Sequence, residues 1–284
     1  MNGLLVVNRF LHNGKFDELT ELFQLAASEQ SITLDTIGND CWGISLDSYD
    51  FILFWDKDIL LADWMAGQRI PVFNSGRAIE LCDDKRKTWM SLEQAKIPTP
   101  RTIPAPMTYS NIGYTDTSFI QEIEKTLHFP MIVKEAFGSF GQQVYLIHNH
   151  HQLEQKVKEL QGIPFLFQEY IEESKGRDIR LQVVGDEVIA SMYRYSDSDF
   201  RANISAGGHM KSYEPSQEEK ELAIRACHAV GADFAGVDLL FAGEKRVVCE
   251  VNSNAHFKNI MDCTGVNTAQ AIMEYIKKRI QNES

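Results

Sequence analysis

The segment AGVDLLFAGEKRVVCEVNSN, residues 235–254, decides the reading of this chain. Val237, Leu239 and Phe241 alternate along it, so they share one face of a strand and Asp238 points to the other. The tetrapeptide Ala242-Gly243-Glu244-Lys245 supplies a turn and makes Phe234–Phe241 and Arg246–Val251 neighbouring antiparallel strands. By the same period of two, Glu250 and Asn252 share a face on the second strand. Two carboxylates and an amide oxygen can then converge on one patch, a donor set suited to a hard cation such as Mg²⁺ or Mn²⁺. On its own the pattern also fits a solvated polar face on a two-layer sheet.

The surrounding sequence is antiparallel in character. Ile179–Val184 and Val188–Tyr195 read as strands joined by Gly185-Asp186, a two-residue hairpin signal. Gln217–Val230 reads as an amphipathic helix and Asn267–Ile280 as a closing helix with a basic last turn. Further upstream, Ser118–Leu127 and Gln152–Leu160 are helical, and Met131–Lys134, Gln143–Ile147 and Phe165–Tyr170 are strands. Strand–loop–strand–helix–strand is an α+β unit. The first hundred residues alternate instead: strands at Leu4–Asn8, Ile32–Ile37, Phe51–Trp55 and Ile70–Phe73, with helices at Lys15–Gln30 and Ile59–Ala66. That order predicts a small α/β domain with a mainly parallel sheet. Helices at Gly76–Cys82 and Lys85–Ala95 follow, and the four prolines between Pro98 and Pro106 predict an extended connector and the first boundary.

Composition narrows the function classes. The chain has 284 residues, 44% hydrophobic and 24% charged, which excludes disorder, collagen and coiled coil as the main architecture. No apolar run approaches the roughly 20 residues of a spanning helix, and MNGLLVVNRF lacks the basic flank of a signal peptide, so a membrane partner is not expected. A net charge of −12 makes nucleic acid a poor partner. Five widely spaced cysteines without a C-x-x-C pair predict free thiols in a reducing cytoplasm. His148, His150 and His151 lack partners at zinc spacing and read as loop and helix-start residues.

Other residues could carry chemistry. Lys134 closes the apolar strand PMIVK and precedes Phe137-Gly138-Ser139-Phe140-Gly141, a loop able to fold backbone N–H groups over phosphates. A strand follows this loop, so it is neither a Walker loop nor a dinucleotide fingerprint; an ordinary hairpin turn fits it as well. Glu169-Tyr170-Ile171, at a strand end, could offer backbone groups to a purine edge. Asp178, Arg180, Arg201 and Asn203 also fall at strand ends, and arginine forks suit phosphate or carboxylate. Surface salt bridging would explain each of these alone.

Taken in order, these motifs resemble the ATP-grasp superfamily, above all the RimK-type and LysX-type carboxylate–amine ligases. The resemblance runs from about Asn74 to the C-terminus through NSGRAIELCDDKRKTW, IPTPRT, PMIVKEAFGSFGQQVYL, FQEYIEESKGRDIRLQVVGDEVIASMYR, FRANISAGG, AGVDLLF and CEVNSN. It implies an ATP-grasp fold, α/β and α+β, with a Rossmann-like domain at 1–97, a central lid at 98–172 and a metal-bearing domain at 173–284. It implies Lys85 and Lys134 on ATP phosphates under Gly138, Ser139 and Gly141, adenine at Glu169, Tyr170 and Ile171, and ribose on Asp178. It also implies Arg201 and Asn203 at the reacting centre, Arg180 on a phosphate or substrate carboxylate, and Mg²⁺ on Asp238, Glu250 and Asn252.

The implied reaction turns a carboxylate and ATP into an acyl phosphate and ADP, and an amine then displaces phosphate. Glutamate or a similar amino acid, an amino-acid, peptide or carrier-protein acceptor, and a homo-oligomer are implied with it. Two positions depart from the pattern. Ala206 stands where these ligases usually carry arginine, and His256 stands where the LysX type has glutamate. Ala206 keeps open a rival reading, an ATP-binding module that has lost ligase activity. A kinase-like enzyme that stops at a phosphoryl product is another rival.

Overall fold

The computed structural model describes residues 1–11, 14–139, 141–204 and 207–283. Three sheets organise them. The first comprises β1 (Asn2–Val7), β2 (Thr33–Gly38), β3 (Phe51–Trp55) and β4 (Val72–Phe73), all parallel in the order β2-β1-β3-β4. Helix α1 (Gly14–Glu29) crosses from β1 to β2, and α2 (Ile59–Gly67) from β3 to β4. The reason is legible in β3, FILFW, buried at every position. Phe51, Leu53 and Trp55 face one side with Phe23 of α1, while Ile52 and Phe54 face the other with Leu61 and Met65 of α2. A strand apolar on both faces needs helices on both. Asp58 starts α2 by accepting from the Leu61 amide at 3.1 Å.

Helices α3 (Gly76–Asp83) and α4 (Lys85–Gln94) lead to a second sheet. It is built from β5 (Thr102–Pro104), β6 (Met131–Glu135), β7 (Val144–Ile147) and β8 (Phe165–Glu169), antiparallel in the order β5-β8-β6-β7. Helices α5 (Phe119–Leu127) and α6 (His150–Glu159) cover it, with their own core around Ile120, Val133, Val157 and Phe167. The proline-rich connector is partly a strand: Thr102 pairs with Gln168 and Pro104 with Leu166 on the sheet edge, where a missing N–H costs nothing.

After a 3₁₀ turn at Glu172–Ser174 comes the third sheet: β9 (Arg177–Val184), β10 (Glu187–Tyr195), β11 (His209–Ser212), β12 (Phe234–Ala242) and β13 (Lys245–Asn252). It is antiparallel in the order β11-β10-β9-β12-β13. One face packs on α7 (Gln217–Ala229), whose first turn carries a full capping box between Ser216 and Glu219. The other face, at its Phe234–Val184 end, joins the first sheet beneath α8 (Lys258–Thr264) and α9 (Thr268–Glu283). There Trp55 stacks on Phe234 at 5.8 Å and meets Phe257 edge-on at 5.5 Å. The first and third sheets therefore share a core, and the second keeps a separate one.

Asn74 fastens that shared core. It is fully buried after β4; its Nδ2 donates to the carbonyls of Phe234 at 2.9 Å and Ser253 at 3.1 Å, and its Oδ1 accepts from the Asp233 amide at 2.6 Å. Asn74→Ala would strand these backbone groups out of water, each at about 1–3 kcal/mol. The expected loss is roughly 3 kcal/mol or more, read from the urea midpoint. A loss below about 1 kcal/mol would show that another contact joins the two sheets.

Candidate active site

The hairpin of residues 235–254 folds with Asp238 directly opposite Glu250, and Gly236 opposite Asn252. The turn is tighter than the sequence reading had it, with Gly243-Glu244 alone between the strands and Gly243 at φ +63°. The pairing then skips a residue, because Leu239 faces Val248 and leaves Cys249 as the extra residue of a bulge. The bulge brings the Cys249 thiol to the Lys134 Nζ at 3.4 Å. Burial pushes this thiol's pKa up, so it stays neutral beside the lysine.

Arg180 and Asp238 lie in register across β9 and β12, and Asp178 and Arg194 across β9 and β10. Arg180 grips Asp238 with two bonds of 2.7 Å. Arg194 donates to Asp178 at 2.6 and 2.7 Å and reaches Asp238 at 3.0 Å. Two arginines and two aspartates thus balance in a buried quartet. Burial pushes the Asp238 carboxyl up, but Arg180 and Arg194 outweigh it and hold the pKa below the usual value. At Asp178 burial prevails, with Asp238 adding to it, and the pKa is raised. Of about four lone-pair positions on Asp238, these arginines occupy three, leaving one on Oδ1.

Lys85 and Lys134 approach from different elements. Lys134 lies in β6 and is only 8% exposed. Lys85, the first residue of α4, donates to the Gly138 carbonyl at 3.0 Å and lies 3.6 Å from Glu250. A cavity of about 20 Å³ between the second and third sheets touches Lys85, Lys134 and Glu250, with Trp89, Leu166 and Val248 as apolar walls. That volume is room for about one water, so the cavity by itself does not enclose a nucleotide. Arg201 donates to the Gly141 carbonyl and binds Asp199 through Nε at 3.0 Å and Nη2 at 2.8 Å. Gly141 has φ +73°, and a Cβ there would come within 2.7 Å of Asn203 Oδ1. The glycine loop and the Arg201–Asn203 segment therefore pack against each other.

Other expected residues do not line this cavity. Ser139 is exposed. Glu169 accepts from the Arg101 amide at 2.8 Å and ties β8 to the connector. Tyr170 keeps a buried hydroxyl without a partner, and Ile171 opens the 3₁₀ turn. Phe140 and Ala206 lie outside the described residues. His256 meets Phe16 edge-on at 6.0 Å. His150 begins α6 against Glu124 at 2.6 Å, and all five cysteines are free.

Sequence reasoning missed Arg194, the central member of the quartet. The signal was present: a two-residue turn at Gly185-Asp186 places Arg194 within one position of Asp178 on the facing strand.

Among the described residues, no group of three or more His, Cys, Asp and Glu side chains is placed to hold a metal. The set here is two carboxylates and an amide, Asp238, Glu250 and Asn252. That fits Mg²⁺, which is commonly held by one or two carboxylates and completed by phosphate and water.

Residues 82–276 match the RimK-like ATP-grasp domain family. The chain is 33% identical over 249 residues to an uncharacterized MG012 homolog of Mycoplasma pneumoniae, covering 83% of this chain and 85% of that one. It is 34% identical over 208 residues to a probable alpha-L-glutamate ligase of Enterobacter sp., covering 72% and 67%. It is also 32% identical over 224 residues to the beta-citrylglutamate synthase B of Danio rerio, covering 78% of this chain but only 54% of that protein. Among solved structures it superposes on a RimK domain ATP-grasp protein from Sphaerobacter thermophilus with a TM-score of 0.71 at 18% identity, covering 97% and 99%. It also superposes on the D-alanine–D-alanine ligase of Bacillus anthracis, solved with ATP, with a TM-score of 0.75 at 16% identity over the full length of both. The family match covers more than half of the chain, and the chain belongs to the RimK-like ATP-grasp family.

Proposed function

We propose that this chain is an ATP-dependent carboxylate–amine ligase that joins an amino acid, glutamate or one like it, to a small-molecule or peptide carboxylate. The observation that carries the proposal is the meeting of Lys85, Lys134 and Glu250 at one cleft, beside Asp238 and under the glycine loop. The names of the Enterobacter and zebrafish relatives support glutamate. The separate core of the second sheet supports a division at 1–97, 98–172 and 173–284, with the middle unit acting as a lid.

In this reading the substrate carboxylate attacks the γ-phosphorus of ATP, ADP departs and an acyl phosphate forms. The amine attacks the acyl carbon, phosphate leaves and the nitrogen sheds its proton. Lys134 and Lys85 draw in the phosphates, Trp89, Leu166 and Val248 enclose the base, and Arg201 and Asn203 position the γ-phosphate under Gly141. Asp178 stands toward the ribose through its arginine-bound carboxylate. Asp238, Glu250 and Asn252 would hold Mg²⁺, which neutralises phosphate charge when bound. Closure of the glycine loop excludes water from the acyl phosphate.

The test is ADP release from ATP and Mg²⁺ across a matrix of carboxylic acids, amino acids and short peptides, with mass spectrometry of the products. A double variant, Asp238→Ala with Glu250→Ala, serves as the blank. ADP release that needs two co-substrates, with a product one water lighter than their sum, is the expected result. ADP release with no amine present would favour a kinase-like enzyme, and ATP binding without turnover would favour a binding module.

The attacking amine must be neutral. With chemistry limiting, the rate is therefore expected to climb from pH 6 toward pH 9 as the ammonium form declines. A flat profile over that range would contradict attack by a free amine.

A further inference from the structure

Asp56 holds a buried carboxylate with no counter-ion among the described residues. It follows β3 directly, is 6% exposed, and makes no ion pair among the described residues. Its Oδ1 accepts from the Nδ2 of Asn8 at 3.1 Å, and its Oδ2 is buried with no partner. The adjacent Lys57 is engaged by Asp83. From 198 residues further along the chain, Asn254 donates its Nδ2 to the Asp56 carbonyl at 2.6 Å, and its Oδ1 is also buried without a partner. The bond to a carbonyl fixes which end of that amide is nitrogen, so the unanswered atom is an acceptor. Two acceptors of one neighbourhood, one of them charged, therefore lack donors.

An unpaired carboxylate out of water costs several kcal/mol, and such a cost is retained mostly where a ligand relieves it. The location supports a ligand. Val7 and Trp55 are register partners, so Asn8 and Asp56 emerge side by side at the carboxyl ends of β1 and β3. From β1 the chain crosses to β2 on one side, and from β3 to β4 on the other. Open α/β sheets bind ligands at such a switch point. Asn254 belongs to the third sheet's side and follows Asn252 by two residues. That puts it at most about 7 Å along the chain from the carboxylate face.

We propose that Asp56 and Asn254 receive the α-ammonium group of the amino-acid substrate. An ammonium carries three donors, no acceptor and the positive charge that this pair lacks, whereas a water would satisfy hydrogen bonds but leave the charge unpaired. Asn8 orients the carboxylate, and its own Oδ1 is fixed by the Phe10 amide at 2.9 Å. The inference rests on the ligase reading, because it gives that reaction's amine a docking place in its ammonium form, from which one proton passes to the Asp56 carboxylate before the neutral amine attacks.

The experiment compares binding of L-glutamate and 2-hydroxyglutarate, which lacks the ammonium, to the full-length wild type and to Asp56→Asn, each loaded with a non-hydrolysable ATP analogue and Mg²⁺. Wild type should prefer glutamate by tenfold or more. Asp56→Asn should lose that preference while its affinity for the analogue stays unchanged. Its Tm without glutamate should equal or exceed that of wild type, since a buried charge has been removed without loss of volume. Asn254→Ser, which keeps Asp56, should reduce the preference in part. A preference that survives Asp56→Asn, or its absence in wild type, overturns the subsite. Failure of the ligase reading registers separately, as a wild type that releases no ADP with any acid and amine pair.

Discussion

Asp238→Asn is expected to lower ADP release by about 10²–10³-fold, the scale on which a preorganised electrostatic group acts. The substitution changes one charge and almost no volume, so packing of β12 against β9 and β13 should survive it. What changes is the balance of the quartet. Arg180 has Asp238 as its acidic partner, and Arg194 would retain only Asp178. The free lone pair on Oδ1, which we assign to Mg²⁺, would belong to a neutral amide. Two readouts separate these effects. The Mg²⁺ concentration for half-maximal rate should rise, and the protein should unfold at lower urea. Asp238→Ala should cost more stability, about 3–5 kcal/mol, because it leaves a buried guanidinium unpaired. A variant within tenfold of wild-type rate, with unchanged Mg²⁺ dependence, would remove Asp238 from the metal face.

The pH dependence of the same residue has a definite sign. The pKa of Asp238 in the folded chain lies below its unfolded value, so its contribution to stability is fully present above about pH 4. It is lost as pH falls through the folded value. Asp178, raised by burial, takes up its proton first as the solution is acidified.

Much of this site was legible in residues 235–254, since alternation and a short turn oblige Asp238 and Glu250 to share a face. The bulge at Cys249 was not legible, because a period of two assigns that thiol to the opposite, apolar face. Only a two-against-one pairing with β12 re-aims it. Arg194 was passed over because an arginine near a strand end resembles any solvent-facing charge until Asp178 is set against it. Thr102–Pro104 read as connector, since proline hides strand character that an edge position tolerates. The short elements His209–Ser212 and Lys258–Thr264 were missed for want of a full period of pattern. Nothing in the sequence shows what the Asn74 side chain or Asp56 holds. Their meaning lies in partners 48 to 198 residues away.

Lys134→Met is the second large effect, and the one that best separates function from folding. A buried lysine usually has an acidic partner, yet among the described residues Lys134 makes no ion pair, and its Nζ hydrogen-bonds to a thiol kept neutral by burial. Its ammonium is thus buried without a carboxylate partner among the described residues. An anion arriving in the cleft would supply the missing charge, and in a low-dielectric site that attraction is far stronger than in water. Lys85 differs, because Glu250 and the Gly138 carbonyl already engage it. Methionine matches the length of the lysine stem and removes the charge, so the ligand-free Tm is expected to equal or exceed that of wild type. Affinity for ATP with Mg²⁺ should fall about 100-fold. Wild type at a hundred times its Kd gains about 2.7 kcal/mol from the nucleotide, and the variant at that concentration should gain only about 0.4 kcal/mol. A thermal shift series with and without nucleotide reads both numbers on the same samples. A lower ligand-free Tm with the nucleotide shift intact would make Lys134 a structural residue, and the phosphates would then have to be held by Lys85 and Arg201.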